Sequence, residues 1–266
     1  MTNVALTNSD LLLAALFLVI NGAISVAFGL RLELGLAIAA ARMVAQLAAI
    51  GFILKFVLAQ SSPLWTAGMA VAMLLIAGYE LFERQQRCFK GWWTYGLGNA
   101  TLLFAAGLAT LYTIVIVIAP TPWYAPRYLL PVLGMVLAST LTSISLVLQT
   151  VTDGLEREKG AIEARFAQGA TRLEAFAPLI RRALRTATAP VLNVMSVAGM
   201  VTLPGMMSGQ IVAGADAIEA ARYQIVMLFA LTGAAGLGAI TAALAGVLLL
   251  SDDRHRLRLD RLAPHH

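Results

Sequence analysis

The sequence predicts an all-α integral membrane protein: about seven transmembrane helices, with one helical cytoplasmic segment between the fifth and the sixth. Three observations carry that expectation. Of 266 residues, 59% are hydrophobic and only 12% charged, with mean hydropathy +0.80, whereas a soluble domain carries about a quarter charged residues. The apolar runs last about twenty residues, as a helix needs to cross ~30 Å of hydrocarbon, rather than alternating over ten as barrel strands do. The basic residues, finally, gather in alternate loops. Lipid offers the backbone no hydrogen bonds, so spans of this length are helices.

Seven spans follow, at roughly 9–29, 32–58, 63–82, 92–119, 128–151, 189–212 and 219–250. The fourth and the seventh are long enough for tilt or a break. Fifteen of the nineteen basic residues fall on one side of the alternation: Arg31; Arg84, Arg87 and Lys90; seven within 157–185; four within 254–261. The other side holds Lys55, Arg127 and Arg222, while Arg42 lies inside the second span. Cytoplasmic loops collect lysine and arginine, so the amino terminus is expected outside and the carboxyl terminus in the cytoplasm, in the inner membrane. Trp65, Trp123 and Tyr124 fall at the outer boundary and Trp92 with Trp93 at the inner one, where amphipathic rings settle. Residues 1–10 carry no lysine or arginine and no small-residue cleavage site follows, so the first span reads as retained. The chain, 1–266, reads as one transmembrane domain with a cytoplasmic segment at 153–188 and a cytoplasmic tail at 251–266. A formal net charge of +5 placed beside spans indicates membrane anchoring and no nucleic-acid partner.

The 153–188 segment is the only long polar stretch. Ile162, Phe166, Gly169, Leu173 and Phe176 recur at spacings of four, three, four and three, which makes one apolar helical face. Glu156, Arg157, Glu158, Lys159, Glu163 and Arg165 decorate the remainder. One reading is a helix lying on the membrane surface; charges of both signs, in place of a basic face, favour a protein partner. Glu163-Ala164 is followed by Gly169-Ala170-Thr171 and then Pro178, where the chain is expected to bend. A Glu-Ala pair with glycine six residues after the glutamate, in a cytoplasmic helix–turn–helix, resembles the signature of ABC-transporter permease subunits. There the short helix docks into a groove of the ATPase subunit. The resemblance thus implies ATPase coupling for Glu163, Ala164, Gly169, Ala170 and Thr171, glycine permitting the turn.

Chemistry of the chain's own is not expected. A phosphate-binding loop ends in lysine followed by serine or threonine, yet Lys55, Lys90 and Lys159 precede Phe, Gly and Gly. This chain therefore binds no cofactor, and any ATP and Mg belong to a partner. A single cysteine, Cys88, allows neither an intrachain disulfide nor a cysteine metal cluster. His255, His265 and His266 sit in the charged tail, and neither a nucleophile–base grouping nor paired carboxylates within a span can be found. The chain is not read as an enzyme.

Span six carries Leu203-Pro204-Gly205-Met206-Met207-Ser208-Gly209-Gln210, then Ala213-Gly214, then Glu219-Ala220-Ala221-Arg222-Tyr223-Gln224-Ile225. With Gly169-Ala170-Thr171, and with Arg42 and Gln46-Leu47 earlier, the chain resembles the FetB-type permeases. These are small ABC membrane subunits linked to iron export in bacteria, with plant relatives associated with aluminium tolerance. The resemblance is close over about 160–245 and weaker but co-linear over the amino-terminal half. It implies a homodimeric permease with a cytoplasmic ABC ATPase subunit, exporting a metal ion, iron first. Family members often carry an aspartate and a lysine three apart early in span six, where this chain has uncharged Asn193 and Ser196. They also often carry Gly-Asn in span five, where this chain has Ala138-Ser139.

Residues of the translocation path divide between functional and packing readings. Pro204-Gly205 inside an apolar helix is a hinge lining a path, or a static kink. Met206 and Met207 point about 100° apart on a helix, whereas Met200 and Met207, seven apart, share a face and could hold a soft metal ion; methionine is also the usual gap-filler between helices. Arg42 and Gln46 share a face of span two. Counted from Leu32, Arg42 lies about 15 Å in, too deep for its head to reach water easily. It is read as lining a lumen or a buried hydrogen-bonded site, in preference to a purely structural clamp; its acid partner is not readable from the sequence, Glu33 lying near the start of span two and Glu80 near the cytoplasmic end of span three. Asn193 joins this set. Rival readings are a secondary carrier or channel without an ATPase, an ABC permease for a non-metal solute, and a membrane-embedded enzyme.

Overall fold

A computed structural model of the chain describes residues 7–60, 62–84, 87–89, 93–252, 257 and 262–264. Lys90, Trp92, His255, His265, His266 and the arginines of the tail lie outside the described residues. The described chain is helical apart from one antiparallel pair of three-residue strands, β1 (Arg87–Phe89, which includes Cys88) and β2 (Leu262–Pro264). It divides into two compact units, Met1–Gln60 and Ser61–His266.

The first unit is a helical hairpin of α1 (Asn8–Ala27) and α2 (Glu33–Gln60). Its turn is closed by Ser25, whose hydroxyl donates to Glu33 Oε2 at 2.8 Å and accepts from the Leu32 N–H at 2.9 Å. Gly29 and Arg31 adopt positive φ there. Both helices are apolar all round and bury almost nothing in the single chain, as helices solvated by lipid or by further helices do.

The second unit holds the core. Its helices are α3 (Pro63–Glu83), α4 (Trp93–Tyr112), α5 (Pro126–Arg157), α6 (Lys159–Ala167), α7 (Arg172–Val197), α8 (Gly205–Val212) and α9 (Ala217–Leu250). Prolines at or near N1 start α3 and α5, where a missing N–H costs nothing. Asp216 caps α9 by accepting from the N–H groups of Ile218 and Glu219. The predicted long fourth span passes from α-helix into a π-helical segment, Thr113–Ile118, a run of β-branched residues ending at left-handed Ala119.

Helix directions follow from side-chain pairings. A Cβ at Gly78 would strike Asn99, and Gly98 faces Leu81, so α3 and α4 are antiparallel. Leu179 lies over Gly154 and the Ser143 hydroxyl donates to the Ala187 carbonyl at 3.0 Å, so α7 runs back along α5. Gly238 meets Thr140 and Ile144 while Gly246 faces Leu148, so α9 is parallel to α5. The buried seam of α9 is Ala234, Ala235, Gly238, Ala239, Ala242, Ala243 and Gly246. Small residues let backbones approach closely where packing, rather than water exclusion, holds helices together.

Six helices of the described residues are long and apolar enough to cross a membrane: α1, α2, α3, α4 with the π segment, α5 and α9. The expected sixth span, 189–212, is not one helix. Its first half is the end of α7, whose earlier turns carry the arginines of the polar 153–188 segment. Its second half is α8, and residues 198–204 between them are not helical. Gly199 there has φ +85 and donates its N–H to the Thr202 carbonyl at 2.8 Å. Leu203, preceding proline, is held away from helical geometry.

Candidate functional site

Two regions of the second unit collect the residues singled out above. The first is the α5–α6–α7 corner. Helix α5 ends at Arg157, α6 follows after Glu158, and the chain turns through Gln168 to Thr171. Gly169 takes φ +87, so the left-handed residue that closes α6 is a glycine, and a Cβ there would meet nothing within 4 Å. Thr171 then starts α7 with a capping box. Its N–H and hydroxyl both donate to Glu174 Oε2 at 2.8 Å, while its oxygen accepts from the Glu174 N–H. These two donors hold the Glu174 carboxyl below its ordinary value.

The α6 helix is seated on one side only. Ile162 is fully buried with Leu155, Ala175 and Phe176, and the Phe166 and Phe176 rings meet edge-to-face at 6.2 Å. Arg165 donates to the Ala175 carbonyl at 2.9 Å, and Arg182 reaches back to Glu158. Glu163, Ala164, Gly169 and Thr171 are exposed, with Ala170 half-buried. The apolar side of α6 therefore packs on protein, not on a membrane surface. One expectation is corrected: Leu173 is 53% exposed and does not continue the face of Ile162 and Phe166, because the Gly169 turn resets the helical register. Pro178 does not set the bend either, since the turn precedes it and α7 runs through both Pro178 and Pro190.

The second region lies where α8 packs against α9 and faces the start of α5 across a cavity. Pro204 is the N-cap of α8, so Pro204-Gly205 begins a helix rather than bending one, and the interruption sits at Gly199. Met200 falls inside the non-helical stretch and is 93% exposed, while Met207 is half-buried on α8. The expected shared helical face of Met200 and Met207 is thus not formed. Met206 is half-buried and packs against the core. Asn193 is exposed near the end of α7, and Met195 accepts from the Thr232 hydroxyl of α9. Gly214, with φ +94, ends α8 in a left-handed turn leading into Asp216.

Two cavities adjoin here. One of about 310 Å³ lies between α5 and α8, with Arg127, Tyr128, Met206, Gln210 and Tyr223 among its walls. The other, about 350 Å³, lies beside the π segment and is bounded by Tyr128, Glu219, Arg222 and Tyr223. Among the described residues, the buried Tyr223 hydroxyl and the buried Oε1 of Gln224 have no hydrogen-bond partner. The sequence flagged both only as part of a string. Tyr128 was not flagged at all, because nothing local ties it to a residue ninety-five positions away.

In the first unit, Arg42 and Gln46 lie exposed on α2. Glu33 accepts from the Ser25 hydroxyl at 2.8 Å, and in the second unit Glu80 pairs with Arg84 at 3.2 Å. Among the described residues there is no cluster of three or more His, Cys, Asp or Glu able to hold a metal ion.

Comparison with known proteins fits this architecture to a family. The model of the uncharacterised protein family UPF0014 matches residues 8–249. The chain belongs to UPF0014. A UPF0014 membrane protein of Synechocystis, slr1647, is 34% identical over 206 residues, covering 76% of this chain and 77% of the relative. Protein ALUMINUM SENSITIVE 3 of Arabidopsis thaliana is 30% identical over 230 residues, 86% of this chain and 82% of its own. The probable iron export permease protein FetB of Escherichia coli is 27% identical over 257 residues, 97% of each chain. The FetB-type resemblance read from the 203–225 strings is therefore correct, and UPF0014 relatives are membrane proteins across this length. No solved structure matches the chain.

Proposed function

We propose that the chain is the permease subunit of an ABC exporter, working as a homodimer with two separate cytoplasmic ATPase subunits. Its cargo is a metal ion, iron first. The observation that carries this reading is the seat of α6. Ile162, Phe166 and Arg165 fix one side of the helix to α7, while Glu163, paired with Lys159 at 3.9 Å, and Ala164 are exposed on the other and Gly169 closes the turn. That is a protruding helix with a mixed-charge outer side and a rigid base, as docking into a partner's groove requires. The absence of a phosphate-binding lysine in the sequence agrees with a separate ATP-binding chain. The Escherichia coli relative, a probable iron export permease, suggests the cargo and the direction.

On this reading the chain crosses the inner membrane seven times, α7 and α8 together making the sixth passage. The parallel sense of α5 and α9 supports it, because the chain between them has to return to its starting end. The amino terminus lies outside and the carboxyl terminus inside, which puts α6 in the cytoplasm with the basic residues. Closure of the ATPase pair would move α6 and α7 as one body, and the non-helical 198–204 stretch lets α8 respond separately.

The test is co-purification. Tagged chain solubilised from its own membranes should bring down an ATPase, and Ala164→Arg or Gly169→Arg should abolish that while leaving the gel-filtration profile of the permease unchanged. If the unaltered chain captures no ATPase, or both variants capture it as well as the parent, the permease reading fails.

A further inference from the structure

We propose that the paired cavities at the starts of α5 and α9, beside α8, form a binding site for an oxyanion, a carboxylate- or phosphate-bearing ligand, recognised by Arg127, Arg222 and the phenols of Tyr128 and Tyr223. The claim rests on the permease reading only in making that ligand, free or wrapped around the metal, part of the cargo.

The chemistry of the walls decides against a bare cation. Two arginines line the cavities, one in each. The carboxylate lining them, Glu219, is already paired with Arg222 at 2.8 Å. Nearby Asp216 accepts two backbone N–H groups at the start of α9. Helices α5 and α9 both begin at this end, so the positive ends of two peptide dipoles point the same way. A cation entering here meets guanidinium groups and no free carboxylate among the lining residues. An anion meets the Arg127 guanidinium and, in competition with Glu219, that of Arg222, groups of the kind that recognise carboxylate and phosphate.

Tyr223 shows that a donor is waiting. Its ring belongs to the wall of both cavities, and its hydroxyl is shut off from solvent without a protein partner. A buried hydroxyl left unpaired costs free energy, and each such group in a native fold calls for a reason. The ring already lines both cavities, so a ligand oxygen in either becomes a partner once a turn of the ring brings the hydroxyl out of the wall. Tyr128 stands in the wall of both cavities as well, so an occupant spanning the partition would be held by two phenols and flanked by two guanidinium groups.

Purified chain in lipid nanodiscs, without any ATPase, should be titrated with inorganic phosphate, with citrate and with ferrous ion alone, heat being the readout. Phosphate or citrate should bind, and Tyr223→Phe and Arg222→Gln should each weaken that binding about 10-fold, the loss of one charge-assisted or buried hydrogen bond. Phosphate binding identifies a free or esterified phosphate ligand, and citrate binding alone identifies a carboxylate chelate. Tyr223→Phe removes one oxygen and keeps the ring, and its melting temperature should match the parent's, so that lost binding is not lost folding. The proposal is overturned if neither anion binds, if both variants bind like the parent, or if ferrous ion alone binds and depends on Tyr223. Because the readout needs no ATPase, its outcome is separate from that of the co-purification.

Discussion

Gly169 and Glu174 set the geometry of the α6–α7 corner through opposite kinds of physics. Gly169 works by lacking a side chain. Its φ of +87 is one that L-residues reach at a cost of about 1–2 kcal/mol, and nothing nearby would clash. Gly169→Ala should therefore lower thermal stability in detergent by roughly that amount without changing the oligomeric profile, whereas arginine adds bulk on the proposed docking side. Glu174 works by its charge. Its folded carboxyl titrates below the ordinary 4.5, so the group stabilises the fold above that pH and the contribution disappears as pH falls through the lowered folded value. Helical circular dichroism followed from about pH 6 to about pH 3 should fall less steeply in Glu174→Gln, which has no charge to lose. A variant with an unchanged acid limb would remove the capping box from this account.

At the scale of elements, the parallel α5–α9 pair depends on the absence of a single methyl group. A Cβ at Gly238 would stand 2.7 Å from Thr140 Cγ2 and 3.2 Å from Ile144. Thr140 cannot easily rotate away, because its hydroxyl donates to the Val136 carbonyl at 2.7 Å. Gly238→Ala should cost about 1–3 kcal/mol, read as a lowered melting temperature, while Gly236→Ala, with open space around it, should be near neutral. The break between α7 and α8 gives a second expectation. Met200 and Met207 share no helix face, so the effects of Met200→Leu and Met207→Leu on iron efflux should simply combine in the double variant. Coupling between them would show that a common ion joins the two.

These elements also show what the sequence could and could not say. Hydropathy placed α1 to α3, α4 with its π segment, the start of α5 and α9 within a few residues, because a lipid-crossing helix needs composition more than partners, while α5 runs on past the expected 151 to Arg157. The α6 turn was legible from Gly169, whose conformational role is local; the capping role of Thr171 came from the structure. The 198–204 break was legible only at its end, Pro204; its start was not, since Val201 and Leu203 keep the run apolar while Gly199 stops the helix, and hydropathy is blind to φ. The cavity walls were not legible either. Tyr128 and Tyr223 are brought together by the parallel packing of α5 and α9, and no local pattern encodes that.

For the whole molecule, the topology makes the sharpest claim. The single cysteine, Cys88, lies in the α3–α4 connection, which the proposed orientation puts in the cytoplasm. A membrane-impermeant maleimide should leave it unlabelled in intact cells and label it in inverted vesicles. Ser62→Cys in a Cys88→Ser background, at the start of α3, should behave in the reverse way. Equal labelling of both from one side would undo the orientation and with it the cytoplasmic place of α6.

That α5 and α9 point the same way bears on how two copies could ever be joined. In the orientation proposed, one chain finishes in the compartment opposite to where the next would have to start. A flexible hydrophilic tether therefore cannot connect them in tandem. A fused dimer, whether engineered or arising by gene duplication, has to acquire an eighth crossing between its halves.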